Sequence, residues 1–273
     1  MKNIYGKRVL VTGASHGIGK SIADAFADRG CIVTGVSRNC IEEEFPRDNG
    51  GNLIMRRMDI TDKRSVKALI GRLDGIDILV LAAGYGIAGP AEEVDAKDVK
   101  DQMNVNYFGN ITVCNLVLKR MREQSRGLVI AISSIAGRVP IPMQSHYSSS
   151  KYALEAYIEA VRMEMRPFGV RAVLLEPGDT KTGFTGSRRI IIGENSPYAD
   201  ICSKSVKKMG HDEQTGKSPE TVARAAVKMA GKKNPPVRVA IGFDYKVLMF
   251  ILRLLPARLV EFIIRLLYLP GWR

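Results

Sequence analysis

Short apolar runs alternate with helical patterns through most of this chain. Residues 8–12 read Arg-Val-Leu-Val-Thr and end at Gly13, the profile of a buried strand. Over 18–29, Ile18, Ile22, Ala25 and Phe26 recur at helical spacing, and Gly30 closes the pattern. Similar apolar runs predict strands at 31–37, 53–58, 76–82, 128–133 and 170–175, with a seventh at 237–241. Helices are predicted at 61–73, 96–124 and 148–166.

Such alternation calls for an α/β fold, a parallel sheet of about seven strands with helices on both faces. Right-handed crossovers would make it doubly wound. Ligands of such sheets bind beyond the carboxyl ends of the strands. Gly13, Ser37, Asp59, Gly84, Ser134 and Pro177 all fall at those ends, so the fold would gather them on one rim.

The pattern changes after residue 244. Val247, Leu248, Phe250, Ile251, Leu254 and Leu255 precede Pro256, and Leu259, Val260, Phe262, Ile263, Leu266 and Leu267 follow it. Arg258, Glu261 and Arg265 lie opposite much of the second set, and Trp272 stands near the end. Residues 245–273 therefore read as an amphipathic helical segment broken at the proline, appended to a single domain over 1–244. Three roles fit the segment: a cap over a pocket, a subunit contact, or an interfacial helix on a membrane.

Composition narrows the field. At 273 residues, with 45% hydrophobic and 25% charged positions, the chain has the make-up of a soluble globular protein. Its net charge of +13 suits nucleic acid, an anionic membrane or anionic small molecules. The basic residues are dispersed, with only pairs such as Arg56-Arg57 and Lys232-Lys233 and no interleaved aromatics, which argues against nucleic acid. Cys31, Cys40, Cys114 and Cys202 form no C-x-x-C pair, and there are only three histidines, so no metal site is expected. The chain enters its first strand by Arg8 without a signal-peptide pattern, and no apolar run reaches the roughly 18–20 residues of a membrane span. A reducing, cytoplasmic setting is expected, with peripheral membrane contact through 245–273 left open.

Three local patterns carry chemistry. The first strand-to-helix turn is Thr12-Gly13-Ala14-Ser15-His16-Gly17-Ile18-Gly19. Glycines there let the backbone approach a pyrophosphate, and the helix start supplies free amides. The second strand ends at Ser37-Arg38, where an NAD site usually has a carboxylate for the ribose 2′-hydroxyl. An arginine suits a 2′-phosphate instead, so NADP(H) is the expected cofactor, with His16 as a second polar contact. Finally, Tyr147 precedes Lys151 by one helical turn, and Ser134 lies upstream. A free phenol, with a pKa near 10, is a poor base at neutral pH, and a neighbouring ammonium would lower that value.

These residues resemble the short-chain dehydrogenase/reductase family in its conventional branch. The matching motifs are the glycine turn, Leu81-Ala82-Ala83-Gly84, Asn104-Val105-Asn106, Ile132-Ser133-Ser134-Ile135-Ala136-Gly137, Tyr147 to Lys151, and Pro177-Gly178 followed by Thr180 and Thr182. The resemblance covers roughly residues 5–245 and implies a Rossmann-type fold. It implies that Tyr147 exchanges the proton, Lys151 lowers its pKa and binds the nicotinamide ribose, Ser134 holds the substrate carbonyl and Asn106 holds a relay water. Ser133 would be structural. Gly13, Ser15, His16, Ile18, Gly19, Arg38, Asp59, Ile60, Ala83, Gly84, Pro177, Gly178, Thr180 and Thr182 would line the cofactor, with Asp59 and Ile60 at the adenine. Residues 179–218 would fold over the substrate as a mobile loop.

Leu81 and Ala82 stand where the family carries two asparagines, which removes side-chain bonds that steady the central sheet in relatives. The tail and the sequence around Pro177 resemble the 17β-hydroxysteroid and retinol dehydrogenases and the acyl-dihydroxyacetone-phosphate reductases. The expected activity is ketone/alcohol interconversion on a hydrophobic substrate, a hydroxysteroid or bile-acid-like compound first and a keto lipid or retinoid second. The alternatives are an NADP-binding sensor and a membrane-surface binder. The resemblance also implies a homo-oligomer, dimer or tetramer.

Overall fold

Each buried apolar run becomes a strand beside another of its kind. The computed structural model describes residues 3–269 and 271, so Trp272 lies outside the described residues. Along the first half run β1 (Arg8–Thr12), α1 (Gly17–Ala27), β2 (Ile32–Ser37), β3 (Glu44–Pro46), β4 (Asn52–Arg57), α2 (Lys63–Arg72), β5 (Ile78–Leu81) and β6 (Ile87–Ala88). Next come α3 (Ala96–Met103), α4 (Asn110–Glu123), β7 (Gly127–Ile132), α5 (Ser145–Glu164) and β8 (Val170–Pro177). The last part holds α6 (Phe184–Ser187), β9 (Arg189–Ile190), α7 (Ala199–Thr215), α8 (Pro219–Ala230), β10 (Arg238–Ile241), α9 (Phe243–Leu254) and α10 (Ala257–Tyr268).

The main sheet has eight strands in the order β10-β8-β7-β5-β1-β2-β4-β3. Seven are the expected parallel strands; β3 is an added edge strand, antiparallel to β4 with Phe45 opposite Leu53. The chain moves outward from β1 through β2 to β4, then returns to place β5 on the other side of β1. That reversal leaves a crevice between the ends of β1 and β5. One face of the sheet is covered by α1 and α8 through Ile22, Phe26, Val222 and Ala226. On the other, α2, α4 and α5 pack Val66, Ile70, Val113, Val117, Leu154 and Ile158.

Four differences from the sequence reading have physical causes. The helix expected over 96–124 is interrupted by a π-helical turn at Asn104–Gly109. Asn110 sits just past the wide turn, and its Nδ2 donates to the carbonyls of Ala83, Val105 and Asn106, binding the turn to the end of β5. Second, the segment 179–218 is not an irregular loop: α7 buries Ile201, Cys202, Ser205 and Met209 on one side, and β9 pairs with β6. Third, α8 was not foreseen, although Pro219 at its first turn is a helix-start signal.

The last concerns the missing asparagine pair. Thr12, fully buried, ties the same strand ends: its Oγ1 accepts from the amides of Ala82 (3.0 Å) and Ala83 (3.2 Å). The end of β1 is thus pinned to the end of β5 without either asparagine.

Candidate functional site

A cleft of about 840 Å³ opens along the carboxyl ends of the parallel strands. Its walls include Gly13, Ser15, His16, Ile18, Gly19, Arg38, Asp59, Ile60, Ala83, Gly84, Ser134, Tyr147, Lys151, Pro177, Gly178, Thr180 and Thr182. Of the catalytic and cofactor residues expected from the sequence, Asn106 alone is not on the wall. It is fully buried behind it.

The glycine turn is built for close approach. Gly13 has φ +68°, and a Cβ on it would lie 2.9 Å from the Ala83 Cα. A Cβ on Gly19 would fall 2.1 Å from the Gly13 carbonyl oxygen, so only glycine lets α1 begin this close to β1. His16 precedes α1 without capping it; its Nδ1 pairs with Ser15 Oγ at 2.9 Å. The first-turn amides of α1 therefore have no side-chain acceptor, the condition under which a helix start holds an anion.

Arg38 follows β2 at the far end of the cleft, exposed and without an ion pair among the described residues. The Asp59 carboxylate is already engaged, accepting from the Thr61 amide and hydroxyl at 2.9 and 2.7 Å. Beyond β8, the Thr180 hydroxyl donates to the Gly178 carbonyl and the Thr182 hydroxyl accepts from the Phe184 amide, which shapes the strand end. This donor set fits a nicotinamide dinucleotide: open amides for the pyrophosphate, an unpaired guanidinium at the ribose end, and a lysine and a tyrosine opposite.

At the other end stand Ser134, Tyr147 and Lys151. The helix α5 starts at Ser145, so Tyr147 and Lys151 share its first turns and face the same side. The Lys151 ammonium lies 5.8 Å from the Tyr147 ring centre and donates to the Ile132 carbonyl at 3.0 Å. The Ser134 hydroxyl, which accepts from the Ala136 amide at 3.1 Å, is near enough to the Tyr147 phenol to favour its ionised form. Asn106 is the hub behind them. Its Oδ1 accepts from the Tyr85 amide at 3.0 Å, and its Nδ2 donates to the Tyr85 carbonyl and to Ser150 Oγ at 2.9 and 3.0 Å. A Cβ on Gly84 would be 3.2 Å from Asn106 Oδ1 and 3.6 Å from Lys151 Nζ, which measures how closely the three meet.

The electrostatics depart from the simple expectation. Burial pushes the Tyr147 phenol up to about 12, the Ser134 hydrogen bond opposing and Glu213 adding to the rise. Burial likewise pushes the Lys151 ammonium down to about 8, with Glu155 opposing. The lysine is itself desolvated and bonded to a carbonyl, so it does not offset the burial of the phenol. Behind Lys151 on α5, burial raises the Glu155 carboxyl to about 7. Arg238 lies 3.3 Å from Glu155 and 3.5 Å from Glu176.

The sequence reading placed the segments 179–218 and 245–273 near this end of the cleft but named none of the side chains that line it. Phe184 packs its ring 5.6 Å from that of Tyr147, and Met209, Glu213, Tyr245 and Tyr268 line the same end. Arg188, buried, pairs with Glu213 and holds α6 against α7. The Tyr245 hydroxyl bonds Asp179, which ties α9 to the end of β8. The amphipathic pattern after residue 244 was the available signal, and both tyrosines belong to it.

The comparisons give the geometry a family. The short chain dehydrogenase family model matches residues 7–190. The chain is 38% identical to a 3-ketodihydrosphingosine reductase of Bacteroides thetaiotaomicron over 95% of its own length and 97% of the relative's. It is 31% identical to an NADPH-dependent 3-dehydrocapnine reductase of Ornithobacterium rhinotracheale, covering 92% and 94% of the two chains. Among solved structures, a short-chain dehydrogenase from Streptomyces avermitilis superposes with a TM-score of 0.80 at 28% identity, over 96% of this chain and 97% of that one. The chain belongs to the short-chain dehydrogenase/reductase family: it is an oxidoreductase with a nicotinamide-dinucleotide fold.

Proposed function

We propose that this protein is an NADPH-dependent reductase that converts a ketone on a long-chain lipid to a secondary alcohol. The observation that carries the reading is the pair of relatives whose names specify reduction of 3-ketodihydrosphingosine and 3-dehydrocapnine, matched over 95% and 92% of this chain. The keto lipid therefore displaces the hydroxysteroid as first choice, since no residue of the cleft speaks for a sterol.

Arg38 supports NADPH. Its guanidinium is unpaired, and Asn39 follows it where a carboxylate would favour a 2′-hydroxyl. The bound dinucleotide supplies the hydride; the protein supplies orientation and the proton. Ser134 and Tyr147 would grip the ketone oxygen together. Tyr147, with its phenol raised to about 12, holds a proton at neutral pH and would release it as the oxygen gains charge, the part of an acid in reduction. Lys151 would bind the ribose hydroxyls and carry positive charge below about pH 8. Asn106 would fix the Tyr85 backbone beside Gly84 and hold α5 through Ser150, keeping Lys151 in reach. Phe184 and Arg188 on the 179–218 segment would close the substrate side and exclude water.

The test is an NADPH-coupled assay across keto-sphingoid lipids, ketosteroids and retinoids, repeated with NADH and with Arg38→Asp. The keto lipid should give the highest kcat/KM, and Arg38→Asp should erase or invert the NADPH preference. A ketosteroid as best substrate, or an unchanged cofactor preference in Arg38→Asp, would overturn the corresponding part of the reading.

A further inference from the structure

The two C-terminal helices leave much of their apolar surface exposed. No residue of α10 is buried, although Leu259, Phe262, Leu266 and Leu267 lie on it; in α9 only Leu252 is. Phe243 is 82% exposed, Leu254 68% and Phe250 66%. Packing within the chain does not explain why these positions are apolar, and a contiguous exposed patch of this kind marks a contact surface.

Charge indicates what the surface meets. Lys246, Arg253, Arg258 and Arg265 lie on the same two helices and enter no ion pair among the described residues. Of the two acidic residues there, Asp244 is held by Lys217 at 2.8 Å, leaving Glu261 alone against the cations. Tyr245 and Tyr268, from these same helices, line the substrate end of the cleft. The patch thus borders the mouth of the site.

We infer that α9 and α10 form a docking surface for an anionic lipid bilayer, with their leucines and phenylalanines at the headgroup boundary and their cations on lipid phosphates. The helices lie on the bilayer: each has twelve residues, and no helix among the described residues is long and apolar enough to cross a membrane. Charge disfavours a second copy as the occupant, because a two-fold contact through this face would bring an excess of cations against itself. The bilayer supplies the opposite charge. Docking in this orientation sets the cleft mouth at the membrane surface, where a lipid substrate resides. That consequence rests on the proposed keto-lipid activity; the docking itself does not.

Co-sedimentation of the full chain with vesicles tests it, using phosphatidylcholine alone and phosphatidylcholine with phosphatidylglycerol. Two variants accompany it: Phe250→Ser/Leu254→Ser/Leu266→Ser and Arg253→Gln/Arg258→Gln/Arg265→Gln. The wild type should sediment with the anionic vesicles, be released by high salt, and bind the neutral vesicles far less. Each lost cation should weaken partition about fivefold, and the apolar variant should stay in the supernatant. Both variants should reduce a short water-soluble ketone with NADPH at the wild-type rate, which shows that they are folded. A wild type that ignores both vesicle types, or variants that bind as it does, would overturn the docking. So would a dimer in sedimentation velocity that the apolar variant dissolves while vesicles bind nothing, since the face would then belong to a second copy. Vesicle binding without keto-lipid reduction would leave the docking standing and remove the substrate reading.

Discussion

Replacing Thr12 by valine removes one hydroxyl and keeps the side chain's volume. That hydroxyl accepts from two backbone amides, Ala82 at 3.0 Å and Ala83 at 3.2 Å, and makes a longer contact of 3.4 Å to the Val80 carbonyl. Thr12 is fully buried, so no water replaces the lost acceptor at its position. A buried donor left unpaired costs about 1–3 kcal/mol. Ala82 and Ala83 are only partly buried, which puts each amide at the low end and the pair at about 2 kcal/mol. Thr12→Ser keeps the hydroxyl and loses a methyl group, a change of about 1 kcal/mol in a packed core. The order of stability should therefore be wild type, serine, valine, with serine and valine exchanged relative to what side-chain volume alone would give. Equilibrium unfolding in urea at fixed protein concentration reads this as a lower midpoint with unchanged slope. The valine variant should also bind NADPH more weakly, because the freed amides border Gly13 and Gly84. A Thr12→Val protein within about 0.5 kcal/mol of wild type, or one more stable than Thr12→Ser, would refute the idea that this hydroxyl pins the end of β1 to the end of β5.

Two more outcomes follow from the site. Asn106→Ala removes three hydrogen bonds from a fully buried amide. It should cost about 2–4 kcal/mol in urea unfolding and lower kcat more than it raises the KM for NADPH; an unaltered kcat would leave Asn106 a purely structural residue. The Lys151 ammonium, pushed down to about 8, should lose its proton just above neutral pH, so kcat/KM for NADPH should fall through a limb near pH 8. Glu155 supports that ammonium, so Glu155→Gln lowers the lysine further and should move the limb to lower pH; a limb that stays in place would separate Glu155 from Lys151.

The parallel core was legible because a strand buried on both faces leaves an unmistakable apolar run, as at β5 and β7. The edge strand β3 was not, because Glu-Phe-Pro is wholly exposed and carries no period. The helix α7 hid behind charged residues, with only Ile201, Cys202, Ser205 and Met209 marking its buried side. The π-helical turn depends on where Asn110 finds three carbonyls, which no spacing announces. Among the site residues, the cleft walls were readable from strand ends and motif order. The sign of the Tyr147 shift was not. A lysine one turn away suggests an acidified phenol, yet burial of both groups sends the tyrosine up and the lysine down.

In the proposed reduction, Tyr147 would deliver the proton to the ketone oxygen. Tyr147→Phe removes only the hydroxyl beside Ser134 and retains the ring that packs on Phe184. Single-turnover NADPH oxidation with the keto lipid, alongside NADPH binding measured by fluorescence, tests it most directly. Tyr147→Phe should lower the rate at least about a hundredfold and leave NADPH affinity nearly unchanged. Reduction at the wild-type rate would contradict it.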